Sequence, residues 1–208
     1  MRLRRLQPVL EGLGLLAVTL ALARALRLPT IWFLAPLVPI VLGRRPAPDY
    51  GLSLERPGSP GFHLAVGAAV FVPFVIAYGL WAHLAHGASF HPALPPAFAQ
   101  AVLDQCLVIA LPEEFFFRGY LQTQFDRALG TPRTLFGAPW GWGLPLAAAL
   151  FAACHTLDGG WHRLIVFFPG LWFGWLRART GTILVPAGYH AASNLLLAVV
   201  RASVAGWT

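Results

Sequence analysis

Three polar clusters interrupt the apolar runs of this chain, and their residue types could do chemistry. The first is Glu113-Glu114-Phe115-Phe116-Phe117-Arg118-Gly119. Glu114 and Arg118 are four residues apart, so on a helix they share a face and can pair. Glu113 then lies about 100° around the helix and points elsewhere. One carboxylate is neutralised by the arginine and the other is left for proton transfer. Pro112 just before the pair either kinks the helix or starts a new one. The second cluster, Phe151-Ala152-Ala153-Cys154-His155, puts Phe151 and His155 one turn apart. The third, His190-Ala191-Ala192-Ser193-Asn194, does the same for His190 and Asn194, with small residues between them that let another helix approach.

Ionisable groups in a spanning helix cost about 2.5–3.5 kcal/mol each, so they need a reason to be there. Their depths agree. Glu113 lies 14 residues before Arg127, His155 lies 13 after Trp142, and His190 lies 11 after Arg179. At 1.5 Å per residue these are all roughly 15–21 Å from one side of the bundle. Three helices can therefore bring Glu113, His155, His190 and Asn194 to one level. A plain reading is that these are buried polar groups satisfying one another. A metal reading is also open: Glu113, His155 and His190 form a zinc set with one free position for water, although the His-Glu-x-x-His helix motif is absent. Ser193 has only His190 near it in sequence and no acidic orienter, which makes a serine nucleophile poor. Asp104 and Gln105 read as ordinary intramembrane polar residues, Asp104 towards the outer interface. His63, His83, His86, His91 and His162 read as interfacial packing.

The elements that must position these groups are apolar. The 208 residues are 57% hydrophobic and 11% charged, with mean hydropathy +0.65, so lipid is the expected solvent. Seven candidate spans follow: Val9–Leu28, Thr30–Leu42 (short, with Pro36 and Pro39), Phe62–Leu84, the long run Ala97–Leu129, Trp142–Leu157, His162–Leu176 and Ile183–Val204. The expected fold is all-α, a polytopic membrane helix bundle of about seven transmembrane helices. It is one integral-membrane domain, with N-terminal helices and loops over residues 1–96 and a core over 97–208 that carries all three clusters. The N-terminus resembles a signal peptide, but the apolar run continues past Ala21-Leu22-Ala23 and is read as an uncleaved first span.

All the basic residues are arginines, and the net charge is +7. They are scattered between apolar runs, which does not describe a nucleic-acid face. They suit the positive-inside rule instead. Arg2, Arg4, Arg5, Arg44, Arg45, Arg56, Arg127, Arg133, Arg177 and Arg179 fall on one side. Arg24, Arg27, Arg163 and Arg201 fall on the other. The expected topology is N-terminus cytoplasmic and C-terminus outside. Trp32, Trp81, Trp140, Trp142, Trp161 and Trp207 sit near span ends. Cys106 and Cys154 read as small buried hydrophobes. The lysine-free, Ala/Gly/Pro-rich composition suggests a GC-rich bacterial genome, hence a bacterial inner (cytoplasmic) membrane.

Over roughly Ala97–Val204 the order Glu-Glu-x-x-x-Arg, Phe-x-x-x-His, His-x-x-x-Asn resembles the CAAX prenyl protease and bacteriocin-processing (CPBP, or Abi) family of glutamic-type intramembrane endopeptidases. The resemblance implies that Glu113 is the general base and that His155 helps hold or deprotonate the water. It implies that His190 and Asn194 donate to the oxyanion, with Glu114 and Arg118 orienting and neutralising the site. It implies hydrolysis without a cofactor, zinc being the alternative. The partners are membrane lipid and a peptide or protein substrate with a hydrophobic C-terminal tail or a leader, as in a myxosortase-like member. Two other classes compete: a non-catalytic scaffold on the same fold, and a proton-coupled transporter, against which the short chain without repeated broken helices argues.

Overall fold

The structure, a computed structural model, describes residues 2–53 and 58–205. Arg56 and Trp207 lie outside the described residues, as do the side chains of Arg2, Arg4 and Arg5. The chain is 78% helical and all-α. Seven helical segments follow one another: α1 (Arg2–Leu26), α2 (Ile31–Leu42), α3 (Pro60–His86), α4 (residues 98–129), α5 (Gly143–Gly159), α6 (Phe167–Thr180, entered through the 3₁₀ turn Trp161–Val166) and α7 (Leu184–Ser203). Each corresponds to one expected run. Two of them, α1 over Leu6–Leu26 and α3, are long and apolar enough to cross a membrane. The 12 residues of α2 rise only about 18 Å. Pro36 and Pro39 lie inside that helix without ending it. Two short antiparallel pairs complete the fold, β1 (Ser89–Phe90) with β4 (Val204–Ala205) and β2 (Arg133–Leu135) with β3 (Ala138–Trp140).

Local signals account for the boundaries. Ser59 caps α3, its hydroxyl accepting from Phe62 N at 3.2 Å, with Pro60 in the first turn. The left-handed Gly87 (φ 61°) ends that helix, and Gly181 (φ 75°) ends α6. Through α4 the hydrogen bonding changes. Asp104–Ala110 and Phe115–Leu121 are π-type, on either side of the short α-helical stretch Leu111–Glu114. The helix runs past Pro112 without breaking.

The core forms around α4. Phe115, Phe116, Phe117, Tyr120 and Leu121 are fully buried, as expected of a helix that is apolar all round. Phe116 and Phe117 pack with Leu16 of α1 and with Ala147 and Phe151 of α5, while Phe115 and Tyr120 pack with Ile40 and Tyr50. The outer surface is apolar: Leu42, Leu64, Leu84 and Phe168 are largely exposed, which suits a lipid surround better than water. Peripheral α3 touches α6 and α7 through Phe71 against Trp172 and Tyr189.

The polar contacts sort to the two ends of the bundle. At one end the Glu11 carboxylate accepts from Arg45 Nη1 and Nη2 (2.6 and 2.8 Å), Gln124 Nε2 (2.7 Å) and the Tyr120 hydroxyl. The hydrogen bond to Glu11 holds the Arg45 guanidinium above its ordinary range. Arg127 bonds Tyr50 and Asp49, and Arg177 donates to the Asp49 carbonyl. At the other end Arg24 meets Asp158 (3.0 Å), and Ala93 N bonds Ser203 Oγ.

Candidate functional site

The three clusters meet where α4, α5, α6 and α7 pack together. Glu114 and Arg118 pair as the spacing predicts, Nη1 to Oε1 at 2.9 Å, both fully buried. The same Glu114 oxygen also meets His190 Nδ1 at 2.9 Å. Since that carboxylate oxygen can only accept, His190 donates from Nδ1 and turns Nε2 away from Glu114. His155 is fixed the same way, Nδ1 lying 2.9 Å from the Phe151 carbonyl, which again leaves Nε2 free. Both free nitrogens face one atom: Glu113 Oε2 lies 3.9 Å from His155 Nε2 and 4.0 Å from His190 Nε2. Glu113 Oε2 is buried and has no hydrogen-bond partner. Glu113 therefore points away from the arginine, as its position on the helix requires.

Aromatic rings hold these groups. The Arg118 guanidinium lies 4.1 Å over the Phe151 ring and 5.5 Å from that of Phe173. Phe151 contacts His155 with ring centroids 4.4 Å apart, and Phe173 stacks on His190 at 5.1 Å. Phe151 thus supplies a ring for the cation and a carbonyl for the histidine, which gives its one-turn spacing from His155 a physical content. Arg118 Nη2 also donates to the Gly170 carbonyl (3.2 Å), and one turn along Gln122 Nε2 donates to the Gly174 carbonyl (3.2 Å). The glycines allow this approach. A Cβ on Gly174 would lie 2.9 Å from Gln122 Oε1 and from Leu144.

Asn194 sits one turn from His190, and its amide donates to Gln105 Oε1 at 2.8 Å. Gln105, read from sequence as an ordinary intramembrane polar residue, is thus the partner of Asn194. Its cue was the one that exposed the other clusters, a polar side chain in an apolar helical run. Phe173 was missed because an aromatic in an apolar run carries no separate signal. Asp104 meets Gln100 at an exposed position, and Ser193 bonds the Tyr189 carbonyl of its own helix.

Chemically, the site presents a buried carboxylate oxygen opposite two imidazole nitrogens. The separations are too long for direct hydrogen bonds and leave room for one water touching both sides. Two ligands of a tetrahedral zinc at 2.0–2.1 Å would stand about 3.3 Å apart, closer than these groups are. Among the described residues no three His, Cys, Asp or Glu side chains are grouped to hold a metal ion.

With this geometry in hand, residues 95–196 match the profile of a family described as type II CAAX prenyl endopeptidase Rce1-like. The matched segment contains all three clusters. No curated protein and no solved structure matches the chain.

Proposed function

Because the segment from residue 95 to 196 belongs to the Rce1-like family of type II CAAX prenyl endopeptidases, a protease family of the membrane, we propose that this chain hydrolyses a peptide bond of a membrane-associated or exported protein with a water activated by Glu113. The observation that carries this reading is the unpartnered Glu113 Oε2 facing the free Nε2 atoms of His155 and His190.

In this reading the water sits between Glu113 Oε2 and His155 Nε2. Its oxygen attacks the scissile carbonyl carbon as its proton passes to Glu113. The carbonyl π electrons move to oxygen, and the oxyanion accepts from Asn194 and from His190 Nε2 when that imidazole carries both protons. Glu113 then gives its proton to the departing amine as the C–N bond breaks. Glu114 is a positioning residue, holding His190 through Nδ1 while Arg118 offsets its charge. In this reading the water is held by protein groups alone, at the 3.9 and 4.0 Å gaps between Glu113 Oε2 and the two imidazoles.

The family description points to prenylated C-terminal peptides, and the resemblance to the wider CPBP family also implies hydrophobic C-terminal tails or leaders. The chain purified and reconstituted in lipid should be offered reporters of each kind, with and without a chelator. The reading expects cleavage of at least one class, unchanged by chelation and lost in Glu113→Ala, His155→Ala and His190→Ala. Full cleavage by all three variants contradicts it. Loss of cleavage on chelation, restored by zinc, replaces the metal-free water with a zinc-bound one.

A further inference from the structure

Each nitrogen-bearing side chain of the site is held from behind by an acceptor. His155 Nδ1 meets the Phe151 carbonyl, His190 Nδ1 meets Glu114 Oε1, and Asn194 Nδ2 donates to Gln105 Oε1 at 2.8 Å. The first two contacts fix which ring nitrogen faces Glu113. The third does the same for an amide. Asn194 Nδ2 carries two hydrogens and Gln105 takes one, so one N–H remains for another acceptor. Turning the Asn194 amide by 180° would set its Oδ1 against Gln105 Oε1, two acceptors face to face, so the bond also fixes which end of the amide meets Gln105.

The winding of α4 delivers Gln105 to this position. Gln105 lies eight residues before Glu113. On an ordinary α-helix that spacing turns the two side chains about 80° apart. Both nevertheless meet one face of α7: Glu113 Oε2 lies 4.0 Å from His190 Nε2, and Gln105 bonds Asn194 one turn further on. The intervening segment Asp104–Ala110 is π-type, and its wider turns bring Gln105 round towards the Glu113 face. Such turns are rare and recur at functional sites, whereas mutual satisfaction of two polar groups needs no special winding. We propose that Gln105 is a positioning residue for the oxyanion, holding the Asn194 amide so that its second N–H, and not Oδ1, meets the developing charge. This rests on the protease reading, in which Asn194 donates to that oxyanion. Without Gln105 the amide is free to present Oδ1, which repels the charge it should stabilise.

Cleavage kinetics of the full chain in lipid test it, with a prenylated-peptide reporter and a hydrophobic-tail reporter. Asn194→Ala should lose about 10²–10³-fold in kcat, the loss expected of one oxyanion donor. Gln105→Met keeps the length of the side chain without its acceptor. It should lose about 10-fold or more in kcat, short of the Asn194→Ala loss, with KM unchanged. In the Asn194→Ala background Gln105→Met should cost nothing further, because a residue that acts through Asn194 then has nothing to hold. Melting temperatures identify the variants that fold, and Gln105→Ala replaces Gln105→Met if the latter does not. Full kcat in Gln105→Met beside an impaired Asn194→Ala overturns the inference. So do losses that multiply in the double variant, which mark a structural effect independent of Asn194. Full cleavage by Asn194→Ala with none by Glu113→Ala also overturns it, and leaves the Glu113 reading intact. No cleavage of either reporter by the unsubstituted chain removes both.

Discussion

Glu114 Oε1 serves two partners, Arg118 and His190, and this sharing joins stability to chemistry at the level of single residues. Glu114→Ala leaves a fully buried guanidinium without its counter-charge, which should cost roughly 3–5 kcal/mol in thermal unfolding of the detergent-purified protein. Adding Arg118→Met removes the orphaned charge and should recover most of that loss. Cleavage should stay low in the double variant, because nothing then holds His190 through Nδ1. Recovery of both stability and cleavage would make Glu114 purely structural. The Glu114–Arg118 pair was legible in the sequence because helix spacing alone dictates it. The Glu114–His190 and Gln105–Asn194 bonds were not, because they join positions 76 and 89 residues apart through the packing of α4 on α7.

At the scale of elements, α4 can sit at the centre only because its neighbours come close. A Cβ on Gly119 would lie 2.7 Å from the Tyr50 carbonyl oxygen, a backbone atom with little freedom to move. Gly119→Ala should therefore destabilise by roughly 1–3 kcal/mol through overpacking. Gly188→Ala in α7 is the contrast, since a methyl group there would meet nothing within 4 Å. It should raise stability by up to about 1 kcal/mol, because alanine loses less backbone entropy in a helix. Melting temperatures of the two variants check both signs. The helix runs themselves were readable because apolar length and Gly/Pro punctuation mark them. The π-type turns around Pro112 and the two short strand pairs were not. A π turn is set by how α4 meets its neighbours, and strands of two or three residues carry no periodicity to read.

For the whole molecule, the sorting of polar contacts fixes which helix ends lie together. Glu11, Arg45, Asp49, Arg127 and Arg177 share one end, and Arg24 with Asp158 marks the other. That grouping agrees with the arginine bias along the sequence, and the proposed orientation follows: the arginine-rich end cytoplasmic and the C-terminus outside. A periplasm-active reporter fused after Thr208 should be active and a cytoplasm-active one silent. The reverse pattern would invert the molecule. The sequence supplied this orientation through charge bias alone. The bonds that tie Glu11 to Arg45 and Gln124 were invisible to it, because they join positions 34 and 113 residues apart that only folding brings together.

The central claim rests on the Glu113 carboxylate. Glu113→Gln keeps the size and polarity of the side chain but removes the base. With a reporter that the unsubstituted chain cleaves, this variant should retain its melting temperature and lose about 10²–10⁴-fold in kcat. A Glu113→Gln protein that folds and cleaves at the unsubstituted rate would contradict the account.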